Sequence, residues 1–261
     1  MVTYSGTSAK RIIGGSVTTI DRYPYAAVLL LSPTGHGTFW QACGASILTN
    51  KVVLTVAHCF DTYNSTIEWR VRVGSTYANS GGVVETTNRI INHPNYNKAI
   101  ADYDVALLRI NGVFSFNNNV RAGRISGPNY NLADNQAVWG IGWGVTTPIG
   151  PLSEQLRHVQ IWTVNHHICT TRYAMIGLIV TDNMLCSGWL DVGGRDQCYG
   201  DSGSPLLHND VIVGVRSWGE RCASPYYPGV NTRVSRVATW IQNNILRRRD
   251  DTTVNSDIFH Q

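Results

Sequence analysis

The sequence predicts an all-β fold, because short runs of β-branched and aromatic residues alternate with clusters of Gly, Asn and Pro. Runs of this kind lie at residues 25–31, 51–56, 69–73, 137–143 and 211–215. Their length and spacing are typical of a β-sandwich or a β-barrel. At 261 residues the chain is long enough for one large domain, or for two halves around a shared cleft.

The main helical pattern lies near the C-terminal end of the chain. Ser235 is a candidate N-cap, and Val237, Trp240, Ile241 and Ile245 follow at the spacing of one helix face. We therefore expect the main helix of the protein to follow its last strand.

Composition argues against a nucleic-acid or membrane partner. The formal net charge is only +4, and the basic residues are dispersed apart from the run Arg247-Arg248-Arg249. No apolar run approaches the roughly 20 residues that span a membrane. Residues 1–10 lack the apolar core of a signal peptide, so we expect any such peptide to lie upstream of this chain.

Three short segments carry the side chains that nucleophilic catalysis by serine needs. Ser202 lies in the sequence DQCYGDSGSP, His58 in VAHC and Asp104 in DYDVALL. A serine hydroxyl is a poor nucleophile until an adjacent base removes its proton, and a carboxylate orients that base. Each residue alone has an ordinary explanation, as a core histidine, a turn former or a loop residue. The three motifs in the order His, Asp, Ser favour catalysis.

With these motifs the chain resembles the chymotrypsin-like serine proteases, and within them the digestive trypsins of moth and butterfly larvae. The resemblance covers about residues 12–246 and includes the sequences IGGSVTT and YNLADNQ. It implies two six-stranded antiparallel β-barrels with the active site between them, and a C-terminal helix. The implied domains are a propeptide at 1–11, an N-terminal barrel at about 12–120, a C-terminal barrel and helix at about 121–246, and a polar tail at 247–261.

The resemblance implies a role for each catalytic residue. Ser202 would be the nucleophile, His58 the general base and then acid, and Asp104 the group that holds the imidazole tautomer. Asp102 is an alternative to Asp104, which we prefer because the family's carboxylate directly precedes an apolar run. Backbone N–H groups of Gly200 and Ser202 would form the oxyanion hole.

The six cysteines allow 15 disulfide pairings by sequence alone. Their even number and the resemblance favour disulfides, and hence secretion into an oxidising, extracellular compartment. The family pattern selects the pairs Cys43–Cys59, Cys169–Cys186 and Cys198–Cys222.

The sequence RIIGG, which begins at Arg11, resembles the activation site of the family. There, cleavage after the basic residue frees an α-amino group, which folds inward and pairs with the acid next to the nucleophile. The resemblance implies cleavage after Arg11 and an ion pair between Ile12 and Asp201. The chain as written would then be a zymogen.

Asp196 precedes Ser202 by six residues, where trypsins carry the acid at the base of the substrate pocket. A buried carboxylate there selects Arg or Lys, because it is costly to desolvate without a partner. The residues that match the substrate-binding pocket walls are Ser217, Trp218, Gly219 and Gly229.

Arg216 leaves the pocket open to two interpretations. The family usually has a small residue just before the sequence SWG, and Arg216 occupies that place. Its side chain either reaches inward and pairs with Asp196 in place of substrate, or turns aside to solvent. Arg221, on the pocket rim, adds a positive charge that would repel a basic substrate.

Other departures from the family lie near the chemistry. Ala45 and Ser204 stand where the family has Gly, and Val56 stands where it has Ala. If these backbones need positive φ or close approach, each Cβ costs roughly 1 kcal/mol. Ser75 stands where calcium-binding trypsins have a loop carboxylate, so we expect no metal site.

Arginine dominates the basic side chains, since only Lys10, Lys51 and Lys98 are lysines among 21 basic residues. Codon usage is one explanation. The physical one is an alkaline medium such as a larval midgut, where Lys, with a pKa of about 10.4, begins to lose its charge and Arg does not.

We therefore expect a secreted, digestive, trypsin-like serine endopeptidase that cleaves proteins after Arg and Lys through an acyl-enzyme. The expected partners are protein or peptide substrates and protein protease inhibitors, with no cofactor and a monomeric state. One alternative is a serine endopeptidase whose selectivity is altered because Arg216 pairs with Asp196. Another is a protease-fold protein that binds partners with little catalysis.

Overall fold

The computed structural model describes residues 12–147, 150–246 and 259–260. These residues form two six-stranded antiparallel β-barrels and a C-terminal helix, so the predicted fold class is confirmed. The strands, in chain order, are β1 (Ser16–Val17), β2 (Ala26–Leu31), β3 (Trp40–Ile47), β4 (Val52–Thr55), β5 (Trp69–Val73), β6 (Val83–Asn92), β7 (Ala106–Ile110), β8 (Arg124–Ser126), β9 (Ala137–Gly142), β10 (Arg157–Thr163), β11 (Met184–Gly188), β12 (Pro205–His208), β13 (Val211–Trp218), β14 (Gly229–Arg233) and β15 (Phe259–His260). The helices are α1 (His166–Ala174) and α2 (Val234–Leu246), with short 3-10 helices at Ile20–Arg22, Ala57–Phe60 and Thr66–Glu68.

The first barrel closes in the order β2-β3-β4-β7-β6-β5. Trp69, Val71 and Val73 of β5 are buried and alternate with two half-buried arginines, which is the pattern of a strand with one face in the core. By contrast, β2 reads AAVLLL and is buried at every position. A continuous apolar run of this length suits a strand that is covered on both faces.

The second barrel closes in the order β12-β9-β10-β11-β14-β13, because β13 also pairs with β12. Two short strands extend its sheet in parallel, β8 beside β13 and β15 beside β8. Phe259 and His260 of the expected tail therefore form a strand. At the other end, Ser16 and Val17 of β1 pair with β10. The start of the expected N-terminal barrel thus lies on the second barrel.

The C-terminal helix α2 begins at Val234, so Ser235 lies in its first turn and is not its cap. Val237, Ile241 and Ile245 are buried, as the helical spacing predicts. The sequence pattern does not predict α1, because that helix has no continuous apolar face. Its one clear signal is Asn165, whose side chain accepts a hydrogen bond from the Ile168 N–H at 3.1 Å and caps the helix.

The largest buried apolar cluster joins the two barrels. It contains Leu54 and Leu107 of the first barrel, Ile212 and Val215 of the second, and Ile241 of α2. A shared core holds the barrels against each other, so that loops from both can contribute to one site.

Disulfides join Cys43 to Cys59, Cys169 to Cys186, and Cys198 to Cys222, the pairs that the resemblance implied. None of the six cysteines remains free.

Candidate active site

His58 and Asp104 meet through two hydrogen bonds. His58 lies in the 3-10 helix that follows β4, and its backbone N–H donates to Oδ1 of Asp104 at 2.9 Å. Its Nδ1 lies 2.7 Å from Oδ2 of the same carboxylate. Asp104 is fully buried, whereas about a third of the His58 side chain reaches solvent. The buried carboxylate therefore fixes the orientation of the ring through Nδ1 and leaves Nε2 on the opposite side of the ring.

Asp104 is held by groups of the second barrel. The Ser217 hydroxyl donates to Oδ2 of Asp104 at 2.5 Å, and the Thr232 hydroxyl donates to the Asp104 backbone carbonyl at 2.5 Å. Ser217 was expected in the wall of the substrate pocket, and the sequence does not predict a role for Thr232. Nothing in their local sequence indicates these contacts, because they join residues more than 110 positions apart.

Asp102 faces other partners. Its Oδ1 accepts hydrogen bonds from the Thr181 hydroxyl at 2.6 Å and the Asn183 side-chain amide at 3.1 Å. Of the two candidate carboxylates, Asp104 is therefore the one in contact with His58.

Ser202 is linked to the loop of His58 by residues of the first barrel. Its backbone carbonyl accepts a hydrogen bond from the Gly44 N–H at 2.7 Å, and Cys43 next to Gly44 is bonded to Cys59 next to His58. The Ser202 side chain is half-buried. Within residues 12–147 and 150–246, no hydrogen bond joins its hydroxyl to His58. Such contacts are often long in free enzymes and tighten when substrate binds.

The turn around Ser202 depends on Gly203. Its φ is +85°, a conformation that favours glycine, and a Cβ there would overlap the Gly44 carbonyl oxygen and the Thr55 hydroxyl. Gly200, which the resemblance places in the oxyanion hole, also has positive φ, at +86°. The sequence GDSG therefore provides the sharp turn that presents Ser202.

The departures from the family near this turn do not require positive φ. None of Ala45, Val56 and Ser204 has a left-handed backbone. Ser204 is buried, and its hydroxyl fills the space that a Cβ would need at Gly44. The cost expected from a strained backbone therefore does not arise at these positions.

Two opposing effects set the pKa of His58. Burial favours the neutral ring, but the hydrogen bond to Asp104 and the charge of Asp104 outweigh it and raise the pKa of His58 above 6.5. The protonated ring of His58 is thus more stable than a free imidazolium.

The structure describes Ile12 of the expected activation site, whereas Arg11 lies outside the described residues. Ile12 is fully buried in an apolar cluster of the second barrel. Asp201 is also fully buried and accepts hydrogen bonds from the Gly144 N–H at 2.7 Å and the Cys198 N–H at 2.9 Å. Burial raises the pKa of Asp201 to about 7, although these two N–H groups lower it.

The predicted pocket acid and Arg216 face each other. Nη2 of Arg216 lies 3.6 Å from Oδ2 of Asp196, and both side chains are about 95% buried. Oδ2 of Asp196 also accepts a hydrogen bond from the Ala223 N–H at 3.1 Å, whereas its Oδ1 has no hydrogen-bond partner among the described residues. Of the two interpretations of Arg216, the structure shows the inward one.

The guanidinium of Arg216 lies against the two glycines predicted to form the pocket wall. A Cβ at Gly229 would overlap its Nη1, and a Cβ at Gly219 would lie 3.0 Å from its Nη2. Trp218 is half-buried beside them and stacks edge-on against Tyr173, with ring centroids 4.8 Å apart. Arg221 differs from Arg216, because 83% of its side chain is exposed and it pairs with Glu220 at 3.5 Å. Solvent and Glu220 therefore screen the positive charge that was expected to repel a basic substrate.

Neither a metal centre nor a membrane span is found in the part of the chain that the structure describes. No three His, Cys, Asp or Glu side chains there are grouped so that they could hold a metal ion. None of the described helices is long and apolar enough to cross a membrane.

Two six-stranded barrels, a histidine held by a buried aspartate and a serine on a glycine turn together define a serine endopeptidase of the chymotrypsin fold. Comparison with known proteins agrees: the family model described as Trypsin matches residues 12–241. The chain belongs to the trypsin family and is a trypsin-like serine endopeptidase, which acts on protein substrates.

Among its relatives are three proteins of moths. "Trypsin, alkaline A" of Manduca sexta is 60% identical over 237 residues, which cover 90% of this chain and 91% of the relative. "Trypsin CFT-1" of Choristoneura fumiferana is 58% identical, with the same shares covered. "Achelase-1" of Lonomia achelous is 49% identical, over 89% of this chain and 100% of the relative. The expected resemblance to lepidopteran trypsins is thus confirmed.

Proposed function

We propose that this protein is a secreted digestive endopeptidase that works in an alkaline medium and hydrolyses peptide bonds through an acyl-enzyme. The observation that carries the proposal is the contact of 2.7 Å between the buried Asp104 carboxylate and His58. The loop of His58 is in turn linked to Ser202 through the Cys43–Cys59 disulfide and the hydrogen bond from Gly44. The three disulfides and the name "Trypsin, alkaline A" of a close relative support an extracellular, alkaline setting.

In the proposed reaction the Ser202 hydroxyl attacks the carbonyl carbon of the substrate, and His58 takes the hydroxyl proton. The negative charge that develops on the carbonyl oxygen is bound by the N–H groups of Gly200 and Ser202. Each such donor is worth about 3–4 kcal/mol in related enzymes. His58 then gives its proton to the leaving amine, and the acyl group remains on Ser202.

The second half of the reaction repeats these steps with water. His58 removes a proton from a water molecule that attacks the ester, and returns it to Ser202 as the acid product leaves. Asp104 stays ionised throughout, and its role is to hold the imidazole and to stabilise its charged form. The hydrogen bond from Ser217 helps to keep this carboxylate ionised in its buried place.

Substrate would extend along an apolar groove next to the pocket. The groove has a volume of about 240 Å³, and its lining includes Trp218, Ile100, Leu178 and Ile179. Apolar side chains on the N-terminal side of the cleaved bond would bury surface there.

Activation is proposed to follow cleavage after Arg11. The new ammonium of Ile12 would pair with Asp201, whose buried carboxylate has no cation within ion-pair distance among the described residues.

We also propose that the enzyme is monomeric and is a target of protein protease inhibitors. Light scattering of the cleaved protein tests the first point, and titration with a protein inhibitor of trypsins tests the second.

The test of catalysis compares the cleaved protein with its Ser202→Ala variant, which differs by one oxygen atom. We expect the cleaved protein to hydrolyse casein and to be labelled at Ser202 by a fluorophosphonate, and the variant to do neither. A folded, cleaved protein without Ser202-dependent turnover would instead favour a binding protein with a protease fold. Thermal unfolding of both proteins shows whether they are folded.

A further inference from the structure

The side chain of Arg216 occupies the primary substrate pocket. Only 4% of Arg216 is exposed, and its guanidinium lies between Asp196 and the pocket-wall glycines Gly219 and Gly229. Wall glycines leave room for a long side chain, and here the room is filled from within the chain. The pocket cannot contain the side chains of Arg216 and of a substrate arginine at the same time.

The backbone of Arg216 is anchored on both sides. Its N–H donates to the Ser204 carbonyl at 2.9 Å, and its carbonyl accepts from the Gly203 N–H at 2.8 Å. In the sheet it lies opposite Asn231 of β14. The strand therefore cannot move away without disturbing the Ser202 turn, so only rotation of the side chain could clear the pocket.

The charges of Asp196 and Arg216 also disfavour a basic substrate side chain. Asp196 contributes one negative charge at the pocket base, and Arg216 contributes one positive charge 3.6 Å from it. The pair has no net charge, so a substrate Arg or Lys would bring a second cation to a single buried carboxylate. Burying an uncompensated charge is strongly unfavourable. An acidic substrate side chain gains little as well, because Asp196 already offsets the charge of the guanidinium.

We propose that Arg216 is a specificity-determining residue. By holding the place of the substrate's basic side chain at Asp196, it weakens the preference for Arg and Lys and favours uncharged side chains short enough to stop above the guanidinium. This inference rests on the proposed function, because it concerns the pocket of the same site.

The test replaces Arg216, and replacement of the nearby Arg221 serves as the control. Arg216→Val opens the pocket, and Arg216→Gln keeps most of the length but removes the charge. Arg221→Ala removes an exposed arginine of the rim, which is no ion-pair partner of Asp196. Each cleaved variant is assayed on peptide nitroanilides that are identical except for Arg, Lys, Ala or Leu before the cleaved bond.

We expect the ratio of kcat/KM for Arg over Leu to rise by about tenfold or more in Arg216→Val, which corresponds to about 1.4 kcal/mol. Arg216→Gln should change the ratio in the same direction, and Arg221→Ala by less than about threefold. If neither Arg216 variant raises the ratio, or if Arg221→Ala raises it equally, the inference is overturned. The Gln variant decides the matter if the Val variant fails to fold.

A binding measurement separates this inference from the proposed catalysis. Benzamidine carries an amidinium, which mimics a basic side chain, and its Kd can be measured by calorimetry in the inactive Ser202→Ala background. Arg216→Val should tighten benzamidine binding by about tenfold or more. Equal affinity with and without Arg216 would overturn the inference, even if the enzyme proves active. Lack of turnover with tighter binding would overturn the proposed function alone.

Discussion

Ser217 donates a hydrogen bond of 2.5 Å to Oδ2 of Asp104, the same oxygen that lies 2.7 Å from Nδ1 of His58. Asp104 precedes β7 in the first barrel, and Ser217 lies near the end of β13 in the second. The contact therefore joins the two barrels at the proposed catalytic carboxylate. A shift of one barrel relative to the other would therefore change the position of the carboxylate that contacts His58.

Replacement of Ser217 by alanine tests this contact. The hydrogen bond from Ser217 fixes the position of the carboxylate. If its loss misaligns the imidazole at a cost of about 1 kcal/mol in the transition state, kcat falls about fivefold. Without Ser217 the carboxylate holds the imidazolium more strongly, so the pKa of His58 should rise further. We expect a lower kcat and an acid limb of the pH–kcat profile displaced to higher pH.

The control for Ser217→Ala is Ser126→Ala. Ser126 is buried in β8, and its hydroxyl has no hydrogen-bond partner among the described residues. This change should leave both kcat and the pH profile unaltered. A displaced acid limb in both variants would mean that the effect comes from general loosening of the fold.

The two neighbouring aspartates give a matched pair of variants. Asp104→Asn should lower kcat by about 10³-fold to 10⁴-fold, as in related serine proteases, because the amide stabilises the wrong tautomer of His58. Asp102→Asn should leave kcat within about threefold, since Asp102 bonds to Thr181 and Asn183. Steady-state kinetics on one nitroanilide substrate decides between them, and equal losses would contradict the assignment of Asp104.

The strands could be predicted from sequence because their signal is local. Alternation in β5 and the continuous apolar run of β2 reflect burial along a few residues. The closure of the barrels, however, came only from the family resemblance. The helix α1 has no such local signal, because only Cys169 and Tyr173 of its nine residues are buried.

The site residues also differ in how far the sequence predicts them. Ser202, His58 and Asp104 could be proposed because each lies in a short motif. The direction of the Arg216 side chain could not, because it depends on space left by Gly229 and on the charge of Asp196, both distant along the chain. The direction of a buried side chain depends on neighbours that are close in space but distant in sequence.

Activity should fall on the acid side at a pH above the ordinary pKa of histidine. The proposed general base His58 can accept a proton only when it is neutral, and Asp104 raises the pKa of His58 above 6.5. Because the folded pKa is raised, protons inactivate the base at a higher pH than for a free imidazole. We expect the acid limb of kcat/KM to have its midpoint above pH 6.5, and a midpoint below 6 would contradict the geometry.

On the alkaline side we expect activity to persist above pH 9. In the proposed activation the limiting group would be the Ile12 ammonium, with an unperturbed pKa of about 8. Holding it charged at pH 10 requires a shift of about 2 units, or about 2.7 kcal/mol, from pairing with Asp201. Activity of the cleaved enzyme at pH 7–11 measures this, and a neutral optimum with no turnover at pH 9 would show that the pair is too weak.

Asp201 should have opposite effects on stability before and after cleavage. Before cleavage, burial raises its pKa to about 7 from 3.8, so the folded state prefers the protonated carboxyl. This contribution to stability is present below about pH 4 and is lost as pH rises toward 7, at a cost of about 4 kcal/mol. Cleavage supplies the Ile12 ammonium, which should offset that cost.

Asp201→Asn removes the charge and so separates the two states. In the uncut chain we expect a higher Tm than wild type at pH 8 and little difference at pH 4, measured in the Ser202→Ala background to prevent self-cleavage. In the cleaved chain with Ser202 intact, the same change should lower kcat/KM by about 100-fold or more, because the ion pair of Ile12 is lost. Asp182→Asn, at an exposed carboxylate, should change neither quantity. If Asp201→Asn destabilised the uncut chain at pH 8, the carboxylate would already have a cationic partner before cleavage, and this account of activation would fail.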